Sequence, residues 1–463
     1  MTAQEDRANA FLRAACAPLD GASHASGTLD EAQAILAAHP EAAHASIHAA
    51  AVLGDEAAVR RFLAADPAAA TAKGGPHGWD PLTHLCFSRY LRLDGARSDG
   101  FVRAAEALLD AGASANTGWY EAGHQPEPVW ESALYGAAGV AHHAGLTRLL
   151  LARGADPNDE EVPYHAPEGF DNGALEALVE SGRLSGDSLA TILIRKTDWH
   201  DEDAIRWLME RGVDPNLQSR WGKTALHNAL LSDNGLAIIE TLLDHGADPS
   251  IIASRPERWN AEFSGRTAVE IAARRGRGDV LDAFERRGIP IALEGAVRLI
   301  AACARDDGDS VRSLAAHEPA WVREVLANGG ELLAHFALTG NTPGVAHLLD
   351  LGVPVDAPFA GDGYFGIAPD STALHVAAWL LRHEVVRLLI ARGAEVNARD
   401  GEGRTPLALA VRGCVDTYWT HRRSPQSVAA LLAAGASVDG VPHPSGYDAV
   451  DDLLRRHGAA DRA

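Results

Sequence analysis

Histidine, aspartate and glutamate are the side chains of this chain that could bind a metal ion or transfer a proton. The sequence has 21 His and 63 Asp plus Glu residues. They are concentrated at the pair His142-His143 and in the run 199–203, which reads Trp-His-Asp-Glu-Asp. Adjacent residues of a helix point to different faces, so neither group makes a compact site by itself. The acidic run is better suited to begin a helix, where carboxylates stabilise the positive end of the helix dipole. We therefore predict no metal site and no cofactor.

The other signatures of catalysis are missing or stand in the wrong context. Residues 361–366 spell GxGxxG, but a dinucleotide site needs a buried strand before that motif and a helix after it. Prolines stand on both sides, so we interpret 361–366 as a loop tip. The chain has no HExxH, GxSxG or P-loop motif, and we predict that it is not an enzyme. The four cysteines are far apart and form no CxxC pair, which argues against a disulfide framework or a zinc site; they are Cys16, Cys86, Cys303 and Cys414.

The charge of the chain narrows the class of partner. Lys plus Arg number 41 and Asp plus Glu number 63, which gives 41 − 63 = −22. A negative surface repels phosphate backbones and anionic lipids, so we expect no nucleic-acid partner and no membrane association. The basic cluster 421–423, which follows Tyr418 and Trp419, is interpreted as a solvated loop. The N-terminal residues lack the basic and apolar regions of a signal peptide, and we expect a cytoplasmic protein.

The elements that carry these residues are predicted by a repeated phrase. Hydrophobic residues make up 46% of the chain, mostly Ala and Leu, which favour helices. An apolar helix end followed by Gly-Ala or Gly-Val and a polar turn recurs, with Gly212 and Gly246 34 residues apart and Gly393 and Gly435 42 apart. Glycine at this place ends a helix in the left-handed conformation. The phrase occupies 108–116, 149–158, 208–216, 242–250, 348–356, 388–397 and 431–439.

A second phrase lies between these glycines. It has Thr or Ser, a small residue, an aliphatic residue and then an Ala-rich stretch, and the hydroxyl predicts a helix N-cap. It is found at 46–54, 132–139, 224–230, 267–276, 372–378 and 405–413. Taken together, the two phrases resemble the ankyrin repeat signature T-P-L-H-x-A and cover nearly the whole chain. His48, His227 and His375 stand at the histidine of that signature, and the resemblance implies a structural role for them.

The resemblance implies a fold and an organisation. We expect an all-α protein, a curved α-solenoid of ankyrin-type helix-turn-helix repeats with projecting finger loops. Residues 1–40 would be a degenerate N-terminal capping repeat, and 440–463 a C-terminal capping helix. Between them, 41–439 would hold about eleven units, some degenerate. We expect a monomer.

Insertions into the repeats are the places where function is expected, because loops inserted into repeats cluster on one face. Finger insertions are found at 117–130, 250–266 and 357–371, and further insertions at 88–100 and 415–426. Aromatic residues dominate interface energy, and the fingers are rich in them. The alternative is that each aromatic packs onto its own finger. The predicted partner-binding residues are Trp79, Trp119, Tyr120, Trp130, Trp221, Trp259, Phe263, Tyr364 and Phe365, with Trp379 on an inner helix.

The sequence thus predicts a non-catalytic scaffold for protein–protein interaction, which binds a macromolecular partner through its concave face and its aromatic finger loops. The alternative function is an enzyme or a small-molecule receptor that uses a pocket in the concave groove. An enclosed pocket lined by convergent groups with shifted pKa values would favour the alternative, and an open groove would favour the scaffold.

Overall fold

The computed structural model describes residues 3–19, 23–123, 127–254, 263–417 and 420–459. The chain forms two compact units, Met1–Arg220 and Trp221–Ala463. Regular structure in the described residues is mostly helical. No helix in this part of the chain has both the length and the apolar character needed to cross a bilayer.

In its described residues, the first unit consists of short helices and one β-hairpin. Its strands are β1 (Gly118–Glu121) and β2 (Val129–Ser132), its 3-10 helices are Pro40–His44, Pro67–Thr71 and Gly95–Arg97, and Gly136–Val140 is a π-helical turn. Its α-helices are α1 (Ala3–Ala15), α2 (Asp30–Ala38), α3 (Ile47–Val52), α4 (Glu56–Ala65), α5 (Pro81–Cys86), α6 (Arg89–Leu93), α7 (Ser98–Asp110), α8 (Ala133–Tyr135), α9 (Ala144–Ala152), α10 (Glu161–His165), α11 (Gly173–Glu180), α12 (Gly186–Asp198) and α13 (Glu202–Glu210).

The second unit has a 3-10 helix at Thr420–Arg422 and a longer series of α-helices. These are α14 (Ala225–Leu231), α15 (Leu236–Asp244), α16 (Ala268–Arg274), α17 (Gly278–Arg286), α18 (Ala296–Ala304), α19 (Gly308–His317), α20 (Pro319–Ala327), α21 (Gly329–Thr339), α22 (Thr342–Asp350), α23 (Ala373–Trp379), α24 (His383–Ala391), α25 (Pro406–Gly413), α26 (Gln426–Ala433) and α27 (Asp448–Arg456).

Within each unit the helices stack as pairs on neighbouring pairs. In the second unit the first helix of a pair contacts the first helix of its neighbour, as in α14–α16–α18 and α21–α23–α25. The second helices form their own row, as in α22–α24–α26. The first unit repeats the pattern in α1–α3–α5 and α4–α7–α9–α11. Each short helix therefore hides its apolar side against the next repeat, as in other repeat proteins.

Small side chains allow the first helices to approach one another closely. Ala49, Ala50 and Ala51 of α3 are fully buried, as are Ala377 and Ala378 of α23. A larger residue at any of these positions would have to displace a neighbouring helix, because protein interiors are close-packed.

The predicted helix ends are confirmed. The hydroxyl groups of Ser46, Thr224, Thr267 and Thr405 each accept a hydrogen bond from a backbone N–H in the first turn of their helix. At the other end of the pair, Gly393 follows α24 with φ +84°. The other glycines of the first phrase also have positive φ: Gly112, Gly154, Gly212, Gly246, Gly352 and Gly435.

The expectation of an all-α fold is wrong at the finger 117–130. Strands β1 and β2 pair antiparallel there, with Trp119 opposite Glu131 and Tyr120 opposite Trp130. Aromatic and β-branched residues favour a pleated strand, and β1 carries Trp119 and Tyr120 while β2 carries Val129 and Trp130. The finger is therefore a structured hairpin that can hold side chains at fixed positions.

Candidate functional site

The hairpin has two different faces because successive side chains of a strand alternate in direction. Trp119, Glu121 and Glu131 share the inner face, which packs against the first unit. Tyr120 and Trp130 share the outer face and lie directly opposite each other. The hairpin thus separates a buried group of polar and aromatic residues from an aromatic pair that reaches solvent.

Aromatic packing anchors the inner face. The Trp119 ring lies 5.1 Å from the ring of Trp79 and 6.0 Å from that of Phe87, measured between centroids. Trp79 is only 4% exposed, and Phe87 is fully buried. Trp79 is therefore a packing residue in this structure, and Trp119 is the residue through which the hairpin is fixed to the repeats.

The outer face is open to solvent. Tyr120 is 67% exposed, and its ring meets that of Trp130 edge to face at a centroid distance of 4.8 Å. Trp130 is half-buried. This pair is the part of the predicted aromatic set that a partner could reach on the first unit.

Two carboxylates and a histidine meet beneath the hairpin. His24 Nε2 lies 3.7 Å from Glu121 Oε2, and His24 Nδ1 lies 3.0 Å from the Tyr135 hydroxyl. Glu131 is 1% exposed, and neither of its carboxylate oxygens has a hydrogen-bond partner. Ligand atoms of His24, Glu121 and Glu131 all lie within 4.8 Å of one another. We call His24, Glu121, Glu131 and Tyr135 the hairpin cluster.

The electrostatics of the hairpin cluster are unfavourable for a free carboxylate. Burial, with added repulsion from Glu161 and Glu121, raises the pKa of Glu131 to about 8. Burial also raises the pKa of the neighbouring Asp159 to about 6. The residues around the hairpin cluster therefore favour a positive ligand or a proton over an uncompensated negative charge.

A second polar group surrounds His165 of α10. His165 Nε2 lies 3.1 Å from Glu161 and Nδ1 lies 3.0 Å from Glu168. Burial lowers the pKa of His165, but the hydrogen bonds and charges of Glu168 and Glu161 outweigh it and raise the pKa to about 9. Arg195 completes the group by donating to Glu168 at 2.9 Å. These residues compensate one another, which indicates a structural ion-pair network.

The groups singled out in the sequence have structural roles. Asp201 of the acidic run caps α13 by accepting from Ala204 N, as predicted. Its carboxylate also accepts from the fully buried Lys196 Nζ at 2.9 Å. His143 caps α9 through Leu146 N, and its Nε2 lies 2.7 Å from Ser98 Oγ. Neither sequence group therefore supplies the hairpin cluster.

The signature histidines hold neighbouring loops, as the resemblance implied. His227 Nε2 lies 3.1 Å from the Ile251 carbonyl, and His375 Nε2 lies 3.1 Å from the Ala398 carbonyl. His48 Nε2 lies 2.8 Å from the Ala72 carbonyl. Burial lowers the pKa of His227 to about 4, so this ring is neutral near pH 7.

The finger 357–371 is a loop closed by paired residues. Phe359 pairs with Ser371, and Asp362 pairs with Ile367, so the GxGxxG stretch is the predicted loop tip. Phe365 is 4% exposed, and its carbonyl accepts a hydrogen bond from Trp379 Nε1 at 2.7 Å. Tyr364 is 51% exposed. Phe365 and Trp379 therefore hold this finger together, and Tyr364 is its exposed aromatic residue.

The remaining predicted contact residues lie around the finger 250–266. Trp221 and Phe263 are half-buried, and Lys223 Nζ lies 5.6 Å from the Phe263 ring centroid. Trp259 lies outside the described residues. In the first unit the structure brings Trp79 and Trp119 together, and Tyr120 and Trp130, whereas in the second unit it brings Phe365 and Trp379 together.

The interpretation of the basic cluster 421–423 as a solvated loop is wrong for Arg422. Its side chain is half-buried and lies 3.5 Å from Asp233. Asp233 also accepts from Arg382 and lies 3.9 Å from Arg277. Arg422 therefore joins a network inside the second unit. Tyr418 and Trp419 lie outside the described residues.

Sequence reasoning missed His24, Glu121 and Glu131. His24 is far from the hairpin in sequence, so no metal-ligand spacing could reveal it. A partial signal was present: Trp119 and Glu121 alternate as they would in a strand, and Glu131 follows Trp130 directly. Only the register of the hairpin places the two glutamates on one face.

Comparisons with known proteins agree with the repeat architecture. The family model for ankyrin repeats (3 copies) matches residues 191–289 and 299–400. The chain is 26% identical over 302 residues to the transient receptor potential cation channel subfamily A member 1 of Homo sapiens, covering 63% of this chain and 23% of the channel. It therefore spans less than a quarter of that relative's length.

A shorter relative is matched over most of its length. The chain is 35% identical over 105 residues to cyclin-dependent kinase 4 inhibitor B of Bos taurus, covering 21% of this chain and 78% of the inhibitor. The match to the crystal structure of the human ASB11 ankyrin repeat domain is 19% identical, covers 66% of this chain and 99% of that one, and has a TM-score of 0.23. The family model, the inhibitor and the stacked helix pairs together establish that this chain belongs to the ankyrin repeat family.

Proposed function

We propose that the chain is a non-catalytic scaffold that binds a protein partner, and that the outer face of the hairpin 118–132 makes the central contact. Ankyrin repeats mediate protein–protein interaction, which gives the general class of function. The observation that carries the proposal is the exposed pair Tyr120 and Trp130 on a hairpin that is anchored from below.

The anchoring matters for affinity. An aromatic residue on a rigid support loses little conformational entropy when it binds, so more of its contact energy appears as affinity. Trp119 fixes the hairpin on the side opposite to Tyr120 and Trp130. Tyr and Trp are also the residues that most often dominate binding energy in interfaces. The hairpin therefore combines the right residue types with a support that positions them.

The chemistry of the partner follows from charge. The chain carries a formal charge of −22, and complementary charge speeds association and selects partners. We propose a protein with a basic surface that also offers an apolar pocket for Tyr120 or Trp130. Tyr364, exposed on the finger 357–371, is the candidate for a separate contact on the second unit.

Several further expectations from the sequence remain predictions. They are the curvature of the array, binding through a concave face, a monomeric state, a cytoplasmic location, and the division into 1–40, 41–439 and 440–463. Trp221, Trp259 and Phe263 remain candidate contact residues. The buried residues Trp79, Phe365 and Trp379 are proposed only as supports for the fingers.

One observation favours the alternative of an enzyme or a small-molecule receptor. Glu131, Asp159 and His165 have shifted pKa values in one region of the first unit. However, Glu131 is buried, and His165 is already paired with Glu161 and Glu168, so a substrate would find no free catalytic pair there. In the second unit, an open cleft of about 330 Å³ is lined by Arg305, which pairs with Asp282 and Glu285. Binding without catalysis explains both sites more simply.

The proposal is tested by affinity capture from a cell lysate with three baits, followed by quantitative mass spectrometry. The baits are the wild-type chain, the double variant Tyr120→Ser with Trp130→Ser, and the control Phe170→Ala. Phe170 is a matched control because it is an exposed aromatic residue of the same unit outside the fingers. We expect the double variant to capture roughly 30-fold less of the principal partner than the wild type does. Each interface aromatic contributes about 1–2 kcal/mol or more to binding. The assignment of the hairpin as the binding surface would be refuted if the double variant captured as much partner as the wild type. It would also be refuted if Phe170→Ala reduced capture as strongly as the double variant does.

A further inference from the structure

The hairpin cluster contains a buried carboxyl group that forms no hydrogen bond with the described residues. Glu131 is 1% exposed and has no hydrogen bond to either carboxylate oxygen. In the described residues no Lys or Arg forms an ion pair with it. Buried carboxylates are normally paired, hydrogen-bonded or bound to a metal, because leaving one alone is costly. Glu131 is therefore well packed, and what its carboxylate lacks is a positively charged partner.

A proton does not remove this difficulty. Protonation neutralises Glu131 but supplies no donor to its second oxygen, which still has no partner. Glu121 lies in the same cluster, so the two carboxylates also repel each other. A cation placed between the carboxylates of Glu121 and Glu131 would neutralise their charges, and each carboxylate could coordinate it.

The donor set indicates which class of cation fits. One imidazole nitrogen and two carboxylates are typical of zinc and related divalent transition metals, whereas Ca²⁺ and Mg²⁺ prefer oxygen ligands alone. Bonds of about 2.0–2.2 Å place two ligand atoms on one ion about 3–4 Å apart. The ligand atoms of His24, Glu121 and Glu131 lie within 4.8 Å of one another, so small side-chain rotations would bring them to that geometry.

Tyr135 has the position of a supporting residue for such a site. Histidines that bind a metal with one ring nitrogen almost always hydrogen-bond through the other. His24 presents Nε2 toward Glu121 and holds Nδ1 at 3.0 Å from the Tyr135 hydroxyl. Tyr135 is the last residue of α8, which follows β2 without a break, so the same stretch of chain fixes Glu131 and Tyr135.

We propose that His24 Nε2, Glu121 and Glu131 bind one divalent transition-metal ion of the Zn²⁺ class, with Tyr135 positioning His24 and water completing the coordination. The ion would join the segment that precedes α2 to the inner face of the hairpin. This role goes beyond partner binding and does not depend on it, because the metal would be held on the face opposite to Tyr120 and Trp130.

The experiment uses the full chain after removal of metal with a chelator. Zn²⁺ alone is titrated by calorimetry, and Co²⁺ alone is followed by its visible absorption, which reports coordination geometry directly. The variants are Glu131→Gln and His24→Gln, which each replace a strong ligand with a weakly binding neutral amide, and Tyr135→Phe, which removes the hydroxyl that positions His24. Glu127→Gln is the matched control because Glu127 is an exposed carboxylate of the same finger. His77→Gln is a second control for zinc bound by histidines elsewhere in this unit.

We expect the wild-type chain to bind one Zn²⁺. With Co²⁺, we expect a visible absorption spectrum typical of an ion with a low coordination number. Glu131→Gln and His24→Gln should each weaken binding by more than roughly 100-fold, and Tyr135→Phe by about 10-fold. Both controls should bind as the wild type does. Circular dichroism establishes that each variant is folded before its affinity is compared. The proposal would be overturned if the wild-type chain bound no metal at a stoichiometry of one ion per chain. It would also be overturned if Glu131→Gln and His24→Gln kept the wild-type affinity for metal, or if the control variants lost as much affinity as they do.

Discussion

At the scale of single residues, the ionisation of His165 contributes to the stability of the folded chain. Glu161 and Glu168 raise its pKa from the ordinary value of 6.5 to about 9 in the folded chain. A histidine with a raised pKa binds its proton more tightly in the folded state. Its stabilising contribution is therefore fully present below about pH 6.5 and is lost as the pH rises through about 9.

This contribution can be measured with the substitution His165→Gln. Urea unfolding of the wild type and the variant should differ most at pH 6 and least above pH 9.5, with a difference of about 1–3 kcal/mol in the free energy of unfolding at the lower pH. Subtracting the two curves removes the titration of all other groups. A difference that is independent of pH would contradict the assignment of a charged His165.

The buried pair Lys196 and Asp201 gives a second test at this scale. Asp201→Asn keeps an oxygen that can cap α13 but removes the charge that faces the fully buried Lys196. Breaking one partner of a buried pair costs about 3–5 kcal/mol, because the other charge is left alone. The control is Asp307→Asn, at an exposed N-cap of α19, which should change stability little. If Asp201→Asn and Asp307→Asn had equal midpoints of chemical denaturation, the pair Lys196 and Asp201 would not contribute to stability as proposed.

Residue-level chemistry was the part that the sequence predicted least well. The signature histidines could be assigned because the repeat fixes what lies next to them. The hairpin cluster could not, because it depends on the register between β1 and β2 and on a contact with the distant His24. Trp79, Phe365 and Trp379 are buried, which is the packing alternative that the sequence left open, because composition does not tell which aromatic residue folds back onto the protein.

At the scale of elements, the repeat is defined by how its helices end. Gly393 has φ +84°, and a Cβ placed there would meet no atom within 4 Å. The requirement for glycine at this position is therefore conformational and not steric.

The substitution Gly393→Ala should cost about 1–2 kcal/mol, the strain of a left-handed residue that carries a Cβ. Gly393→Asn should cost less, because Asn tolerates this conformation. Gly363→Ala is the control, since a Cβ there also meets nothing and its φ is not positive. Thermal unfolding measures all three. A loss for Gly363→Ala as large as that for Gly393→Ala would contradict the conformational explanation.

The elements were predicted well where the repeat phrase is present, since caps and helix-ending glycines act locally. The prediction was wrong where the phrase is interrupted. The all-α expectation makes the finger 117–130 a loop, yet two short segments rich in aromatic residues, 118–121 and 129–132, pair there as strands. A finger is an insertion, and its structure is determined by its own sequence rather than by the repeat.

At the scale of the whole molecule, stability should be transmitted from repeat to neighbouring repeat. Within each unit, stacked helix pairs contact their neighbours, so the stability of a unit is close to a sum of repeat and interface contributions. Ala272 of α16 is fully buried, and Ala272→Leu should cost about 1–3 kcal/mol through overpacking.

Hydrogen exchange shows where that cost appears. In the Ala272→Leu variant, amides of α14 and α18, which contact α16, should lose the most protection, and those of α25 much less. Leu326→Ala, an exposed position of α20, is the control and should leave protection unchanged. A loss spread evenly over the whole chain would contradict repeat-by-repeat coupling.

The central claim is that the outer face of the hairpin contacts a protein partner. The most direct measurement is hydrogen–deuterium exchange of the chain alone and in complex with the partner captured by the wild-type bait. We predict that partner-dependent protection is largest in peptides that contain 118–121 and 129–132. Protection confined to the helices of the repeats, with the exchange of the hairpin unchanged, would contradict this account.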